Sequence, residues 1–330
     1  MSESLSSETV TLTVEARAHG WRLDHYLTRL YPNYSRAAFQ KAVEQGAIQV
    51  NGVSVKAGRR LKVNDHLSVR LPEAADETLP PENIPLEILY EDESLIVINK
   101  AADMIVHPGK GNYRGTLAGA LQFHFNNLSD VAGKLRPGIV HRLDRDTTGV
   151  IVIAKDNQVH GRLSAQFEAR EVTKEYRALA WGEVKFDSGL IETHLRVDPR
   201  NREKMQVCEP GGNSREAVTR YEVLERFPRA TYVRLLPKTG RTHQLRVHMQ
   251  SLGNTLLADS LYGGRSPVMV NDVLPRGANR PADASRVLIE RQALHAFRLA
   301  FKHPMSGASM EFEAPFHADM QQTLEFLRTI

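Results

Sequence analysis

Between Gly138 and Lys155 the chain reads GIVHRLDRDTTGVIVIAK, a polar, turn-rich loop that runs straight into the apolar stretch VIVIA (150–154). An apolar run of strand length bounded by turn residues reads as a buried strand. The loop's carboxylates therefore stand at the mouth of a sheet, where catalytic groups tend to lie. Asp144 and Asp146 are two residues apart and flanked by Arg142 and Arg145. An aspartate between arginines is held ionised, which suits a nucleophile or a base and not an acid. By spacing alone, a salt-bridged loop closed by an Asx turn is favoured over a catalytic site. A second cluster, TYVRLLPKTGRTHQLRVHMQSLG (231–253), changes that weighting. It reads as a strand, a tight Lys-Thr-Gly turn and a helix from about Thr242, with Leu245, Met249 and Leu252 as its apolar stripe and Gly253 closing it. Arg241 falls at the strand-to-helix junction, placed to hold a carboxylate or phosphate through two nitrogens. His243 and His248 are five apart and share no helix face, and no glutamate follows His243, so a zinc reading fails. Neither a phosphate-binding loop nor a dinucleotide glycine fingerprint is present.

The rest of the chain must position these groups. Its 330 residues are enough for about two domains with real cores. Apolar residues make up 41%, charged residues 25%, and the mean hydropathy is -0.38, the profile of a soluble globular protein. The single cysteine, Cys208, excludes an intrachain disulfide and a zinc site built from several thiolates, and fits a reducing cytosol. The start, MSESLSSETV, lacks the basic and apolar regions of a secretory signal, and no apolar run approaches the length of a membrane span. A cytoplasmic location and no membrane partner are expected. The formal charge is +4, but it is unevenly spread. Residues 1–72 carry 10 Lys and Arg against 6 Asp and Glu, residues 73–97 carry 8 acidic residues and no basic one, and the remainder carries 33 against 25. Two basic bodies are thus joined by an acidic strip, and each suits a polyanionic partner. The strip has four prolines between residues 72 and 94 and reads as an extended linker. The expected division is a first domain over 10–72, a linker over 73–84 and a second domain over 85–330.

In the first domain Leu23, Tyr26, Leu27 and Leu30 form one apolar helix face, stopped by Pro32. Ser35 is placed to cap a second helix that buries Phe39, Ala42 and Val43 and ends at Gly46. IQV-NG-VSV (48–55) signals a hairpin, because Asn51 and Gly52 both tolerate positive φ. The basic patch KAGRRLK (56–62) and a last strand, HLSVRLP (66–72), follow. Arg22, Arg29, Arg36, Lys41, Arg59, Arg60 and Lys62 suit contact with a phosphate backbone. The stretch from RLDHYL at Arg22 to KVND at Asp65 resembles the S4 RNA-binding domain, a resemblance that implies an RNA partner and names no reaction.

Five blocks of the second domain carry a further resemblance. HRLDRDTTG (141–149), KEYRAL (174–179), GRTHQLRVH (240–248), ADSLYGG (258–264) and RQALHA (291–296) resemble, in order and spacing, the signature blocks of the RluA-type pseudouridine synthases. With HPG (107–109), DTTG and the S4-like domain, the chain is most similar to the RluD branch, whose members modify uridines in a stem-loop of 23S ribosomal RNA. Two positions depart from the pattern: Lys100-Ala101-Ala102-Asp103 stands where Lys-Pro-x-Gly is usual, and Ala258 where glycine is usual. The resemblance implies a reaction that breaks the bond from ribose C1′ to uracil N1 and rejoins the base through C5. That reaction needs no cofactor and no metal, and takes place on a base extruded from its stack. The resemblance also implies site residues. Asp144 is the essential aspartate, attacking C1′ or removing a ribose proton; Arg241 pairs with it. Tyr176 stacks on the uracil and helps remove the C5 proton, and Arg142 occupies the space of the flipped base. His141 and Asp146 read as loop scaffolding, and His107, His295 and His303 as core or turn hydrogen-bonding groups. RVDPRNREK (196–204), with Arg200 and Arg202, is a candidate RNA-backbone contact on an exposed hairpin or loop, and residues 263–286 form a long Gly/Pro-rich insertion.

The expected fold is α+β. A mostly antiparallel mixed sheet carries the site in a central cleft, with helices near 158–169, 242–252 and 317–328, behind a small S4-like α/β domain. The expected function is isomerisation of specific uridines in 23S (large-subunit) ribosomal RNA, free or in pre-ribosomal particles, by a monomer. The alternatives are the same reaction on tRNA or another rRNA site, and a non-catalytic RNA-binding ribosome assembly factor. A metal-dependent nuclease built on Asp144 and Asp146 is weaker, since two carboxylates and scattered histidines are a poor metal signal.

Overall fold

The computed structural model describes every residue except 1–4, 32, 33, 35, 73–78, 110–112, 134 and 265, so Pro32, Ser35 and the first six residues of the expected linker lie outside the described residues. The chain divides into two units, Met1–Thr78 and Leu79–Ile330.

The first unit runs β1 (Leu5–Thr13), α1 (Leu23–Leu30), α2 (Arg36–Glu44), β2 (Ile48–Val50), β3 (Val53–Ser54) and β4 (His66–Pro72). The strands form one antiparallel sheet in the order β1-β4-β2-β3. Asn51 and Gly52 turn the chain between β2 and β3 at φ of 53° and 76°, the left-handed pair that a two-residue hairpin requires. Leu23, Leu27 and Phe39 are fully buried with Ile48 and Leu67, as their helical spacing dictates. Leu30, expected on the same face, is 40% exposed, because the last residue of α1 reaches past the edge of this core.

The second unit runs β5 (Glu87–Glu91), β6 (Leu95–Lys100), α3 (Leu117–His124), β7 (Thr148–Ala154), α4 (Asn157–Glu168), β8 (Thr173–Trp181), β9 (Ser188–Val197) and β10 (Met205–Cys208). It continues with β11 (Arg215–Arg226), β12 (Ala230–Pro237), α5 (Gln244–Ser251), β13 (Val268–Met269), α6 (Val270–Val273), β14 (Val287–Ile289), β15 (Leu294–Lys302), β16 (Ser309–Glu313) and α7 (Ala318–Leu327). A 10-stranded sheet in the order β10-β9-β11-β12-β8-β15-β7-β6-β5, with β16 also on β15, forms its body. Its pairings are antiparallel except β15 with β7, where His295 lies opposite Thr148. Every residue of β6 and β7 is buried, the pattern of strands covered on both faces. Leu117 and Leu121 of α3 and Val159 and Leu163 of α4 pack into the same core. Both helices start at side-chain caps: Thr116 Oγ1 accepts from Gly119 N at 3.0 Å, and the Asp156 carboxylate from Val159 N at 2.9 Å.

Two features bear on the expected domain map. Leu79 is already buried in the second core, and the Glu82 carboxylate accepts the Gly115 N–H at 2.7 Å, so residues 79–84 are part of the second unit rather than linker. Leu79 and Ile84 find a core that the acidic residues around them concealed. In the Gly/Pro-rich insertion, Val268, Val270 and Val273 pack with Met320, Leu324 and Leu327 of α7. Among the described residues no helix is long and apolar enough to cross a membrane.

Candidate active site

The HRLD loop rejoins the sheet at Gly149, whose φ is 113° and where a Cβ would come 2.2 Å from Ala296 O. Only glycine admits this close approach of β7 to β15. Two cations fasten the loop's carbonyls. Lys100, fully buried at the end of β6, donates to the carbonyl oxygens of Ala101, Met104 and Arg145 at 2.7, 2.9 and 2.8 Å. Three acceptors match the three N–H groups of an ammonium, against burial that pulls the lysine pKa down to about 7. Arg291 holds Asp319 through two nitrogens at 2.7 and 2.8 Å and donates from Nη1 to Asp146 O at 3.1 Å. The His141 ring stacks on Phe167 at 4.6 Å, and its Nε2 accepts the Val152 N–H at 3.1 Å. Burial, then the charge of Lys174, pushes its pKa down to about 3, so it is a neutral scaffold.

On this frame Asp144 is half-buried and faces α5. Arg246 grips the fully buried Asp259 through Nε and Nη2 at 2.7 and 2.8 Å, and its Nη1 stands 3.4 Å from Asp144 Oδ2. Burial works against that guanidinium, but the hydrogen bonds and charge of Asp259, with the charge of Asp144, raise its pKa overall. The Arg246 guanidinium also lies 5.0 Å from the centre of the Tyr262 ring. The Tyr262 hydroxyl takes the Met205 N–H at 2.8 Å and meets His243 Nδ1 at 2.9 Å. With Tyr262 donating to Nδ1, neutral His243 carries its proton on Nε2, which faces Asp144 Oδ2 at 4.0 Å. Ala258, beside Asp259, has φ 54°, the left-handed region in which the usual glycine would be unstrained.

Arg241, expected to pair with Asp144, does not. Its Nε donates to Glu216 O at 3.0 Å and its side chain is exposed. The helix starts at Gln244, after His243 at φ 54°, rather than near Thr242. That reversal turns Arg241 outward and aims Arg246, the third residue of the helix, at the loop. Gln244 locks the turn: Oε1 accepts from Thr239 Oγ1 and Arg241 N at 2.7 and 3.0 Å, and Nε2 donates to Val218 O and Thr219 Oγ1 at 3.1 and 2.9 Å. The sequence signal for Arg246 was its place between Leu245 and Val247 on a buried helix, where a charge needs a partner.

Tyr176 lies on β8 opposite Leu235 of β12 and Ala296 of β15. Its half-buried ring packs on the core and lines the same cavity of about 470 Å³ as Asp144, Arg142 and Arg246, a size suited to a small organic group. Burial, then the charge of Asp144, raises the phenol pKa far above its ordinary value, so the ring is neutral and offers an aromatic face. Arg142 is exposed on the cavity wall. The structure therefore brings Asp144, Tyr176 and Arg142 together and adds Arg246, Asp259, Lys100 and Arg291, to which the sequence reading assigned no role.

Of the expected RNA contacts, Arg200 and Arg202 are exposed between β9 and β10. Arg22 and Arg36 are less free than expected. Arg22 donates to Asp24 from Nε and Nη2 at 3.0 and 2.9 Å, and Arg36 from Nε at 3.0 Å, with Gln40 adding a bond at 2.9 Å. Asp24 is fully buried, and these bonds, that of Arg22 foremost, hold its carboxyl far below the usual range. A buried carboxylate claims the nearest guanidinium groups, a demand not visible in a count of surface charges. Arg59 lies 3.8 Å from Asp65, Arg60 donates to Gly20 O at 2.8 Å, and Lys41 also has an interaction within the protein. His295 bridges Thr148 Oγ1 at 2.8 Å and Ala314 O at 3.1 Å, and His303 meets Asp92 at 3.0 Å. His107 Nδ1, by contrast, is buried with no partner among the described residues. No group of three or more His, Cys, Asp or Glu among the described residues is arranged to hold a metal ion.

The chain is similar to known proteins over most of its length. The model of the RNA pseudouridylate synthase family matches residues 94–251, and that of the S4 domain matches residues 21–67. An RNA pseudouridine synthase of Chlorobaculum parvum is 41% identical over 97% of this chain and 98% of its own. The ribosomal large subunit pseudouridine synthases D of Neisseria meningitidis serogroup B and Escherichia coli O6:H1 are 40% and 38% identical, over 99% and 97% of this chain and 84% and 94% of theirs. Among solved structures, human RNA pseudouridylate synthase domain containing 1 matches with a TM-score of 0.53 and 26% identity, over 76% of this chain and 98% of that one.

Proposed function

The chain belongs to the RNA pseudouridylate synthase family, and on that premise we propose that it converts specific uridines of 23S ribosomal RNA to pseudouridine, as a cytoplasmic monomer acting on the RNA or on pre-ribosomal particles. The observation that carries the reading is the Asp144 carboxylate, set against Arg246 in one cavity with the Tyr176 ring. Asp144 attacks C1′ or takes a ribose proton. On either route the C1′–N1 bond breaks, the uracil turns and C5 bonds to C1′, which displaces the Asp144 carboxylate on the first route and is followed by return of the ribose proton on the second; the C5 proton then leaves and N1 gains one. Atoms and electrons are conserved within the nucleotide. Arg246 keeps the carboxylate oriented while charge shifts on it, and costs no reorganisation because Asp259 already holds it. Tyr176, a neutral phenol, supplies a stacking face for the turning base rather than an ionised base. Arg142 fills the gap left in the RNA stack, a role its exposure at the cavity wall supports.

The names of the Neisseria and Escherichia relatives favour large-subunit RNA over tRNA. The test is pseudouridine mapping after purified protein is incubated in parallel with unmodified 23S rRNA and with unmodified tRNA. Conversion confined to 23S rRNA is expected; conversion of tRNA alone contradicts the reading.

A further inference from the structure

Lys174 and Tyr176 are two residues apart on β8, so their side chains leave the same face of the sheet, roughly 7 Å apart along the strand. Both line the cavity that holds Asp144. Lys174 is half-buried, and among the described residues neither a carboxylate nor a carbonyl oxygen accepts from its ammonium. The side chains that act on it electrically add to the problem: Arg170 carries the same sign, and burial and that charge together pull the lysine pKa below its ordinary value. Of the other cations that line the cavity, Arg142 and Lys238 are exposed and stay solvated, and the rest have partners. Arg246 is taken by Asp259 and Asp144, Arg241 by Glu216 O, and Arg170 reaches the Glu216 carboxylate at 3.5 Å. Space is open beside the ammonium as well. Gly240, in the turn facing β8, has no side chain, and even a Cβ there would stand 3.9 Å from Lys174 Nζ with no other atom within 4 Å.

A half-buried cation without a counter-ion is a cost to the folded protein unless a ligand supplies the missing charge. We propose that Lys174 binds an RNA phosphate flanking the extruded uridine, and so sets the nucleotide along β8 with its base over Tyr176 and its ribose at Asp144. The assignment rests on the pseudouridine synthase reading of the cavity. A phosphate is the anion that every nucleotide brings, one sugar away from its base, on the length scale that separates Lys174 from Tyr176. A compact ammonium serves such a site as a point charge.

The experiment uses the full-length protein, a 23S rRNA transcript, and the variants Lys174→Met and Lys174→Arg. Thermal unfolding, the salt dependence of RNA affinity and single-turnover pseudouridine formation are measured for each. Lys174→Met is expected to melt no lower than the wild type, to bind RNA roughly tenfold more weakly at moderate salt, and to reduce the slope of log affinity against log salt by about one. Lys174→Arg is expected to restore most of the affinity and the slope. Unchanged affinity and slope in Lys174→Met overturn the proposal. So does weaker binding with an unchanged slope, which assigns the ammonium to a base carbonyl, and so does a lower melting temperature with unchanged RNA binding, which makes it structural. Pseudouridine formed by the wild type on the same transcript reads the parent assignment separately, so either can fail without the other.

Discussion

Arg246 serves two aspartates at once, gripping Asp259 through Nε and Nη2 at 2.7 and 2.8 Å and reaching Asp144 from Nη1 at 3.4 Å. The tight pair is buried and fixes the guanidinium plane; the loose pair faces the cavity. Asp259 is therefore a holder of the arginine that faces the Asp144 carboxylate, and this arrangement is set before any RNA arrives.

The two arginines of the GRTHQLR block should separate sharply. Arg246→Lys keeps a charge against Asp259, but one ammonium cannot also span to Asp144, so single-turnover pseudouridine formation is expected to fall roughly 100-fold or more. Arg241→Gln, which loses a bond to a backbone carbonyl at the exposed rim, is expected to cost less than about tenfold, mostly in RNA affinity. Equal losses in the two variants contradict the pairing.

How much of this was readable beforehand follows from the physics of each residue. Asp144, Tyr176 and Arg142 each stand in a recognisable block, and their side chains point where a loop or a strand must point them. Arg246 could be suspected as a charge between Leu245 and Val247, but its direction was hidden, because direction at a strand-to-helix junction hangs on one backbone angle, that of His243 at φ 54°, which no spacing rule reports. Strands β6 and β7 were visible as apolar runs, whereas α3, LAGALQFH, is apolar almost all round and shows no helical period. Lys100 looked like the opening of a loop block; that it is wholly buried under three carbonyls depends on strands far apart in the chain meeting.

Lys100 yields its own test. Lys100→Met fits the volume but leaves the carbonyls of Ala101, Met104 and Arg145 without this donor, a loss of about 2–4 kcal/mol. Urea unfolding is expected to show that loss, and turnover is expected to fall because Arg145 neighbours Asp144. Wild-type stability in this variant would remove the clamp from the account.

Buried histidines make stability depend on pH, His248 and His295 among them. Burial pushes His248 and His295 down to about 4, whereas a histidine in the unfolded chain titrates near 6.5. Between these values the unfolded chain binds protons that the folded chain refuses. Their contribution is complete above pH 6.5 and is lost as pH falls toward 4, by about 1.4 kcal/mol per pH unit for each group. Denaturant unfolding at pH 7, 6 and 5 should show the decline, and His248→Gln should make it shallower. Stability that stays flat from pH 7 to pH 5 contradicts the burial.

The most direct test of the whole account is a comparison of wild type and Asp144→Asn on unmodified 23S rRNA, read by nucleotide-resolution pseudouridine mapping. The substitution preserves shape and removes the negative charge that faces Arg246. The wild type is expected to convert its target uridines and Asp144→Asn to convert none, with matching thermal unfolding of the two proteins. Equal conversion by both would contradict the claim that Asp144 is the reacting carboxylate.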